Sequence, residues 1–384
     1  MRFSLVQSEL HRCLQLVASV VPTRAANPSL GSVLVEAAKD GTITFQATDL
    51  DTFLLASARG VVDEPGVAAI PARRFLEVVK ELPSDAVQVK GTGGGLTLTC
   101  GQGRYRLVGP DPDEFPEVPS LSEEKIFAAP VEVLERLIRQ TAYAVSTDNT
   151  RPEMTGVYVH VVEGALRFVA TDGHRLARAE ARGDYSTWGD IIIPPKALAI
   201  VQRLLGEAQE SVSLSTNRRY CLFNLGTSRL YTRLLDGRFP NYPDVIARCQ
   251  PDKRAFVRRD DFLGVLRRVV VFSESMTRQV KLSLSEGSLR VSVATQSVGE
   301  AEDVVPLRYD GPPFHIGYNA NFLLELLRTT DAEELELAFQ EPTSAGLITP
   351  VVADGQPDLL CLVMPLRLPG EEIVSAAGEA PAHR

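Results

Sequence analysis

The sequence predicts an α+β fold made of three tandem repeats, each with two helices packed on antiparallel sheets. Three observations carry this reading, and the first is a long internal period. Ala47-Thr48-Asp49, Ala170-Thr171-Asp172 and Ala294-Thr295-Gln296 each end an apolar alternation, 123 and 124 residues apart. Pro71, Pro194 and Gly317, spaced 123 and 123, each open a stretch that runs from extended chain into a helix. Phe115-Pro116, Phe239-Pro240 and Met364-Pro365 close the units, their prolines 124 and 125 apart. A period of this length far exceeds that of solenoid repeats, so each unit must hold its own core. The second observation is helical periodicity at matched places in each unit. The third is two-residue alternation between them, which a helix cannot use.

Taken in order, the first helix is SELHRCLQLVASV, whose Leu10, Leu14 and Val17 recur three or four residues apart and form one apolar face. PARRFLEVV, from Pro71, is the second. The strand GLTLTC follows Gly91-Thr-Gly-Gly-Gly95, which has the look of a phosphate loop but lacks the following Lys-Ser/Thr and leads into a strand, so it reads as a turn. The second unit repeats the plan with PVEVLERLIRQTA (Leu134, Leu137, Ile138), PPKALAIV and the strand SVSLST. The third has RRDDFLGVLRRVV (Phe262, Leu266, Val269), the strand KLSLSE and the helix opened by GYNANFLL. TNRR and SEGS punctuate hairpins. The expected domains are 1–120, 127–248 and 253–368, with 369–384 read as a disordered tail beyond the last landmark.

Composition narrows the function classes. Hydrophobic residues at 44% and charged residues at 23% fit an ordinary globular chain. The opening MRFSLVQSELHRCL mixes charge with apolar residues, unlike a signal peptide or membrane span, and a cytoplasmic protein is expected. Five cysteines (13, 100, 221, 249, 361) form no CxxC pair, and five histidines (11, 160, 174, 315, 383) no HExxH spacing, so neither a metal nor a cofactor is expected. The net charge of −9 alone argues against a nucleic-acid binder, but charge is segregated. Six helical segments (8–18, 71–81, 130–141, 194–205, 258–269, 319–328) carry thirteen Lys/Arg against eight Asp/Glu, leaving −14 on the remainder. Arg73 and Lys80, seven apart, share a helix face, and adding 123 lands on Lys196 and Arg203. On the residues alone, this is either a solvated face or a phosphate-facing one.

TDGHRLA (171–177), DGRFPNYP (236–243), GPDPDEFP (109–116) and MPLRL (364–368), at the repeat spacing, carry a family likeness. From Met1 to about Leu368 the chain resembles the bacterial DNA sliding clamps, the beta subunits of DNA polymerase III. The resemblance implies a head-to-tail homodimeric ring of clamp-type domains around duplex DNA, bound without sequence preference and nucleoid-associated during replication. It implies a non-catalytic processivity factor whose partners are the DNA polymerase III catalytic subunit, the clamp loader complex, and other polymerases and repair proteins carrying short clamp-binding motifs. The matching peptide-pocket positions are Met154, Thr171, Gly173, His174, Arg175, Leu176, Pro240, Val245, Leu362, Met364, Pro365, Leu366 and Arg367. Arg175 and Arg367 would serve as rim donors. Matching DNA-facing positions are Arg24, Arg73, Lys80, Lys196 and Arg203, and the dimer contact falls on Tyr105 and Leu107 against Val271 and Phe272.

Two departures stand out. Asp244 occupies a rim position that is often basic, and Asp148-Asn-Thr-Arg-Pro152 replaces aromatic residues found near DNA in some members. A core-strand role for Met364 to Leu368 competes with the pocket role. An enzyme built on Asp172, His174 and Arg175 has little support, because the equivalent stretches ATDLDT and ATQSVG lack the histidine and no nucleophile motif accompanies it. An adaptor that uses the pocket without encircling DNA is the alternative function, separable by comparing retention on closed circular and linear DNA.

Overall fold

The computed structural model describes residues 1–24, 27–92, 94–121, 125–185, 189–207, 210–217, 219–352 and 358–368; the tail read as disordered lies outside them. The chain forms two compact units, one of Met1–Phe168 with Glu180–Phe239, the other of Val169–Ala179 with the chain from Pro240 onward.

The first unit holds helices α1 (Gln7–Ala18), α2 (Ala72–Lys80), α3 (Val131–Thr141) and α4 (Pro195–Leu204). The buried face of α1 is Leu10, Cys13, Leu14 and Val17, which matches the sequence spacing, and it packs on α2. Proline stands at the N-cap of α2, α3 and α4, where its fixed φ is compatible with entry into a helix and its missing N–H costs nothing. One eight-stranded antiparallel sheet runs Lys125–Pro130, Ser211–Thr216, Tyr220–Asn224, Ser228–Arg233, Thr52–Arg59, Thr42–Thr48, Ser32–Ala37, Gly66–Pro71. Its centre joins the first two repeats, with Leu230 opposite Leu54 and Tyr231 opposite Phe53. A five-stranded sheet, Val61–Glu64, Arg2–Val6, Ala86–Thr92, Gly95–Cys100, Gly103–Val108, ends on a strand with no outer neighbour in that sheet.

The second unit contains α5 (Tyr242–Ala247), α6 (Arg259–Val269) and α7 (Ala320–Thr329). The short α5 falls outside the two-helix plan read from the repeats. Residues 175–179 pair antiparallel with Leu359–Val363, followed in order by Gly346–Pro350, Glu334–Phe339 and Lys253–Arg258. A four-stranded sheet orders Gly299–Pro306, Ser288–Thr295, Gln279–Ser285 and Phe314–Asn319. Its alternation is clean: Val280, Leu282 and Leu284 are buried while Gln279, Lys281 and Ser283 face outward. Helices α6 and α7 pack together through faces that include Phe262, Leu266, Leu323 and Leu327. Each such side chain contributes roughly 1.5–3 kcal/mol through burial.

Candidate functional site

The TDGHR stretch forms a stapled turn. Thr171 Oγ1 accepts from the Gly173 amide at 3.1 Å and donates to the Arg175 carbonyl at 2.6 Å. Asp172 Oδ1 accepts from the amides of His174 and Arg175, both at 2.9 Å, and its Oδ2 accepts from Arg175 Nε at 3.0 Å. Gly173 has φ +87°, a conformation in which glycine avoids a Cβ clash. The Asp172 carboxylate, offered by the sequence as half of an acid–base pair, is thus occupied in holding the turn.

The Met364-Pro-Leu-Arg-Leu368 segment is tied to this turn. The Met364 amide donates to the His174 carbonyl at 2.8 Å, immediately after the register that sets Arg175 opposite Val363. It then leaves the sheet: the Leu366 amide donates to the Gly317 carbonyl at 2.8 Å, and Gln279 Nε2 donates to the Arg367 carbonyl at 2.7 Å. A Cβ at position 317 would lie 2.6 Å from the Leu366 oxygen, so a glycine is required for this crossing. The last strand therefore ends at Val363, and Met364 is 39% exposed, which answers the core-strand reading for that residue.

The second unit thus brings Thr171, Gly173, His174, Arg175 and Leu176 beside Leu362, Met364, Pro365, Leu366 and Arg367. Thr171, Leu176 and Leu362 are buried beneath, while Gly173, His174, Met364 and Arg367 are exposed. Pro240 is half-buried just before α5, and Val245 is exposed on α5, in the same unit. Asp244, also exposed there, accepts from Asn241 Nδ2 at 2.6 Å. Met154 belongs to the first unit and is buried, its carbonyl accepting from the Ser146 amide.

Two residues of α7 that sequence reasoning missed complete the turn's environment. The Phe322 ring lies 4.5 Å from Arg175 Cζ, and Glu325 pairs with Arg175 Nη1. Arg175 is only 11% exposed. Its guanidinium is therefore held between two carboxylates and an aromatic plate. The available signal was the three-residue spacing of Phe322 and Glu325 on a helix, which places both on one face.

The expected DNA-facing residues all lie in the first unit and are exposed. Arg24 follows α1, Arg73 begins α2 and pairs with Glu77 at 3.0 Å, and Lys80 ends α2. On α4, Arg203 donates from Nε to the Ala199 carbonyl at 3.4 Å, and Lys196 pairs with Asp49. Of the expected dimer residues, Tyr105 is exposed and Leu107 half-buried on the end strand Gly103–Val108, while Val271 (68% exposed) and Phe272 sit in the 3-10 turn after α6. The neighbouring Val108 and Val304 are exposed on the end strands of their sheets and were not singled out by the sequence.

In the loop 148–152, Asp148 accepts from the Thr150 amide, and bonds to that amide and its hydroxyl hold the carboxyl below its usual range. Elsewhere in the first unit, Tyr158 donates to Asp190 at 2.6 Å and stacks on Phe239 at 4.8 Å. Beside it, burial and then the charge of Arg167 push the His160 pKa down to about 4. No helix among the described residues is long and apolar enough to cross a membrane.

Similarity to known proteins extends over nearly the whole chain. The family descriptions "DNA polymerase III beta subunit, N-terminal domain", "central domain" and "C-terminal domain" match residues 1–119, 128–241 and 249–367. The beta sliding clamp of Caulobacter vibrioides is 33% identical over 377 residues, covering 96% of this chain and 100% of that protein. That of Synechococcus elongatus is 31% identical, with coverages of 94% and 98%. Among solved structures, a DnaN sliding clamp from Pseudomonas aeruginosa bound to griselimycin superposes with a TM-score of 0.89 at 29% identity, covering 96% of this chain and 100% of that one. The Bacillus subtilis polymerase sliding clamp gives 0.90 at 27% identity, with coverages of 96% and 99%.

Proposed function

The chain belongs to the DNA polymerase III beta subunit family, and from that premise we propose how these residues build a sliding clamp. The protein is a DNA sliding clamp, a replication processivity factor. Two copies close head to tail, with Tyr105 and Leu107 of the strand Gly103–Val108 meeting Val271 and Phe272 of the next copy. Unpaired end strands and exposed apolar side chains on both surfaces support this closure, since edge-to-edge pairing satisfies idle backbone groups. The ring encircles duplex DNA. Arg24, Arg73, Lys80, Lys196 and Arg203 face the phosphates through few, sequence-independent contacts, as sliding requires. The Asp49 and Glu77 pairings moderate Lys196 and Arg73, so Lys80 and Arg203 carry more of the phosphate contact.

The peptide groove is carried by one observation above all: the Thr171–Arg175 turn is hydrogen-bonded to the Met364–Leu368 segment over buried Leu176 and Leu362. Apolar anchors of a partner peptide enter beside Met364, whose unbranched side chain adapts to different shapes. Its users are the polymerase III catalytic subunit, the clamp loader, and other polymerases and repair proteins with short motifs. The subunit is non-catalytic and works in the cytoplasm on the nucleoid. Loading onto nicked circular DNA, followed by linearisation, tests the whole reading: a ring is retained on the circle and lost from the linear form. Equal retention would mean direct binding, and no retention on either with peptide affinity intact would favour the adaptor. Anisotropy of a labelled partner peptide, compared between wild type and Met364→Ala, tests the groove independently of DNA.

A further inference from the structure

We propose that Glu325 is a specificity-determining residue of the peptide groove: by pairing with Arg175, it cancels the cation at that rim, so the groove does not favour acidic peptides there. The inference deepens the groove assignment and rests on it.

Arg175 is the first residue of the strand next to the turn, 11% exposed, with Nε on Asp172 and Nη1 on Glu325. The Phe322 ring faces its Cζ at 4.5 Å, which fixes the guanidinium plane. Asp172 cannot release it cheaply, since the same carboxylate holds the His174 and Arg175 amides and is itself 16% exposed. Glu325 differs. Its side chain is 43% exposed and pairs with the guanidinium. The three groups together carry one negative charge, so a carboxylate arriving from a peptide meets repulsion where the sequence alone suggested attraction. Asp244, exposed in the same unit, adds no positive charge to offset this. Affinity must then come from apolar anchors at Met364 and Leu366, with charge deciding between otherwise equal ligands.

In this account Glu325 is a positioning residue that acts through Arg175. The test uses the full-length protein and two fluorescein-labelled peptides, Gly-Ser-Leu-Ser-Leu-Phe and Gly-Ser-Leu-Asp-Leu-Phe, by anisotropy at 50 mM and 300 mM salt. Wild type is expected to bind the acidic peptide no better than the neutral one. Glu325→Gln, isosteric and at a half-exposed site, should raise the acidic-to-neutral affinity ratio about three- to tenfold at low salt and less at high salt. A purely structural role would change both affinities together and leave the ratio alone. The gain must vanish in the Arg175→Gln/Glu325→Gln double variant, which shows that it passes through Arg175. An unchanged ratio in a Glu325→Gln protein of normal melting temperature overturns the inference while the groove stands. Failure of wild type to bind either peptide overturns the groove and the inference with it. If Glu325→Gln melts early, Glu325→Lys must produce the larger shift in the ratio, and no shift there is equally fatal.

Discussion

The turns after Thr48 and Thr171 occupy the same place in successive repeats, and their backbones are nearly the same object. Thr48 Oγ1 accepts from the Leu50 amide at 2.9 Å as Thr171 Oγ1 accepts from Gly173. Asp49 Oδ1 accepts from the Thr52 amide at 2.7 Å as Asp172 Oδ1 accepts from Arg175. Even the left-handed residue is kept, Leu50 at φ +80° and Gly173 at +87°. The carboxylates' remaining partners diverge. Asp49 pairs with Lys196 of the second repeat and serves the internal structure of the first unit, whereas Asp172 holds Arg175 in the turn to which the Met364 amide is bonded. The third copy, with Gln296 in place of the aspartate, abandons the scheme: Thr295 Oγ1 instead donates toward the Phe272 and Gly299 carbonyls. Two of the three copies keep one backbone device, and the third abandons it.

The largest expected effects separate the closing landmarks of these repeats. Phe115 is buried, so Phe115→Ala should cost about 3–5 kcal/mol of stability in chemical denaturation. Peptide affinity should stay within twofold in the molecules that remain folded. Met364→Ala/Leu366→Ala should do the reverse, lowering peptide affinity about 30-fold while costing far less stability than Phe115→Ala. If the double variant instead unfolds like Phe115→Ala, the segment is core and the contrast between repeats collapses.

Removing each turn's carboxylate sharpens the comparison at its centre. Asp172→Ala deletes the oxygen that accepts from two amides and one side of a guanidinium that is 11% exposed, and should cost about 2–3 kcal/mol. Asp49→Ala deletes one amide acceptor and a pair to a half-exposed lysine, and should cost about 1 kcal/mol. Urea denaturation measures both; equal losses would mean that the turns carry equal loads.

How much of this was legible in the sequence follows from the range of the interactions. The period, the helix faces of α1, α3 and α6, and the TDGHR and MPLRL landmarks are local or periodic signals, and side-chain period alone fixes which residues point inward. The pairing of Ser228–Arg233 with Thr52–Arg59, which fuses two repeats into one sheet, is not local, because any edge strand of similar pattern competes for that partner. Arg175 shows the same limit at the site. Its position in the motif was legible, but its ion-pair partner Glu325 lies 150 residues away on α7. The Lys196 partner, Asp49, lies in the preceding repeat and is equally beyond local pattern.

Acid separates the two units by a smaller margin. His160, in the first unit, has its pKa depressed to about 4 against an ordinary 6.5, so the unfolded chain binds its proton first. Its contribution to stability is complete above about pH 6.5 and is lost as the pH falls toward 4. Because the ring is only partly buried, the loss should be about 1 kcal/mol after allowance for screening. Calorimetry of wild type against His160→Gln should show the wild-type transition falling faster across that window. Parallel curves would remove His160 from the account of acid sensitivity.

The smallest effect tests whether the two turns really are one device. A non-glycine residue at φ near +80° pays for the approach of its Cβ to the backbone, roughly 1–2 kcal/mol, whereas glycine costs roughly 0.5–1 kcal/mol in chain entropy. Leu50 bears the first cost and is 51% exposed, so it recovers part of it through the buried half of its side chain. Leu50→Gly relieves the strain but gives up that burial and adds entropy to the unfolded chain, so stability should stay within about 0.5 kcal/mol of wild type. Gly173→Ala has no such compensation, because a methyl group gains little burial at an exposed turn while adopting the same unfavourable φ, and it should cost just under about 1 kcal/mol. The pair is measured as shifts in the urea midpoint at constant slope. If Leu50→Gly stabilises by more than 1 kcal/mol, the strain in the first turn was uncompensated, and the leucine is kept there for a contact outside this subunit. If Gly173→Ala is silent, the second turn can relax in a way the first cannot, and the two repeats share a sequence pattern without sharing its energetics.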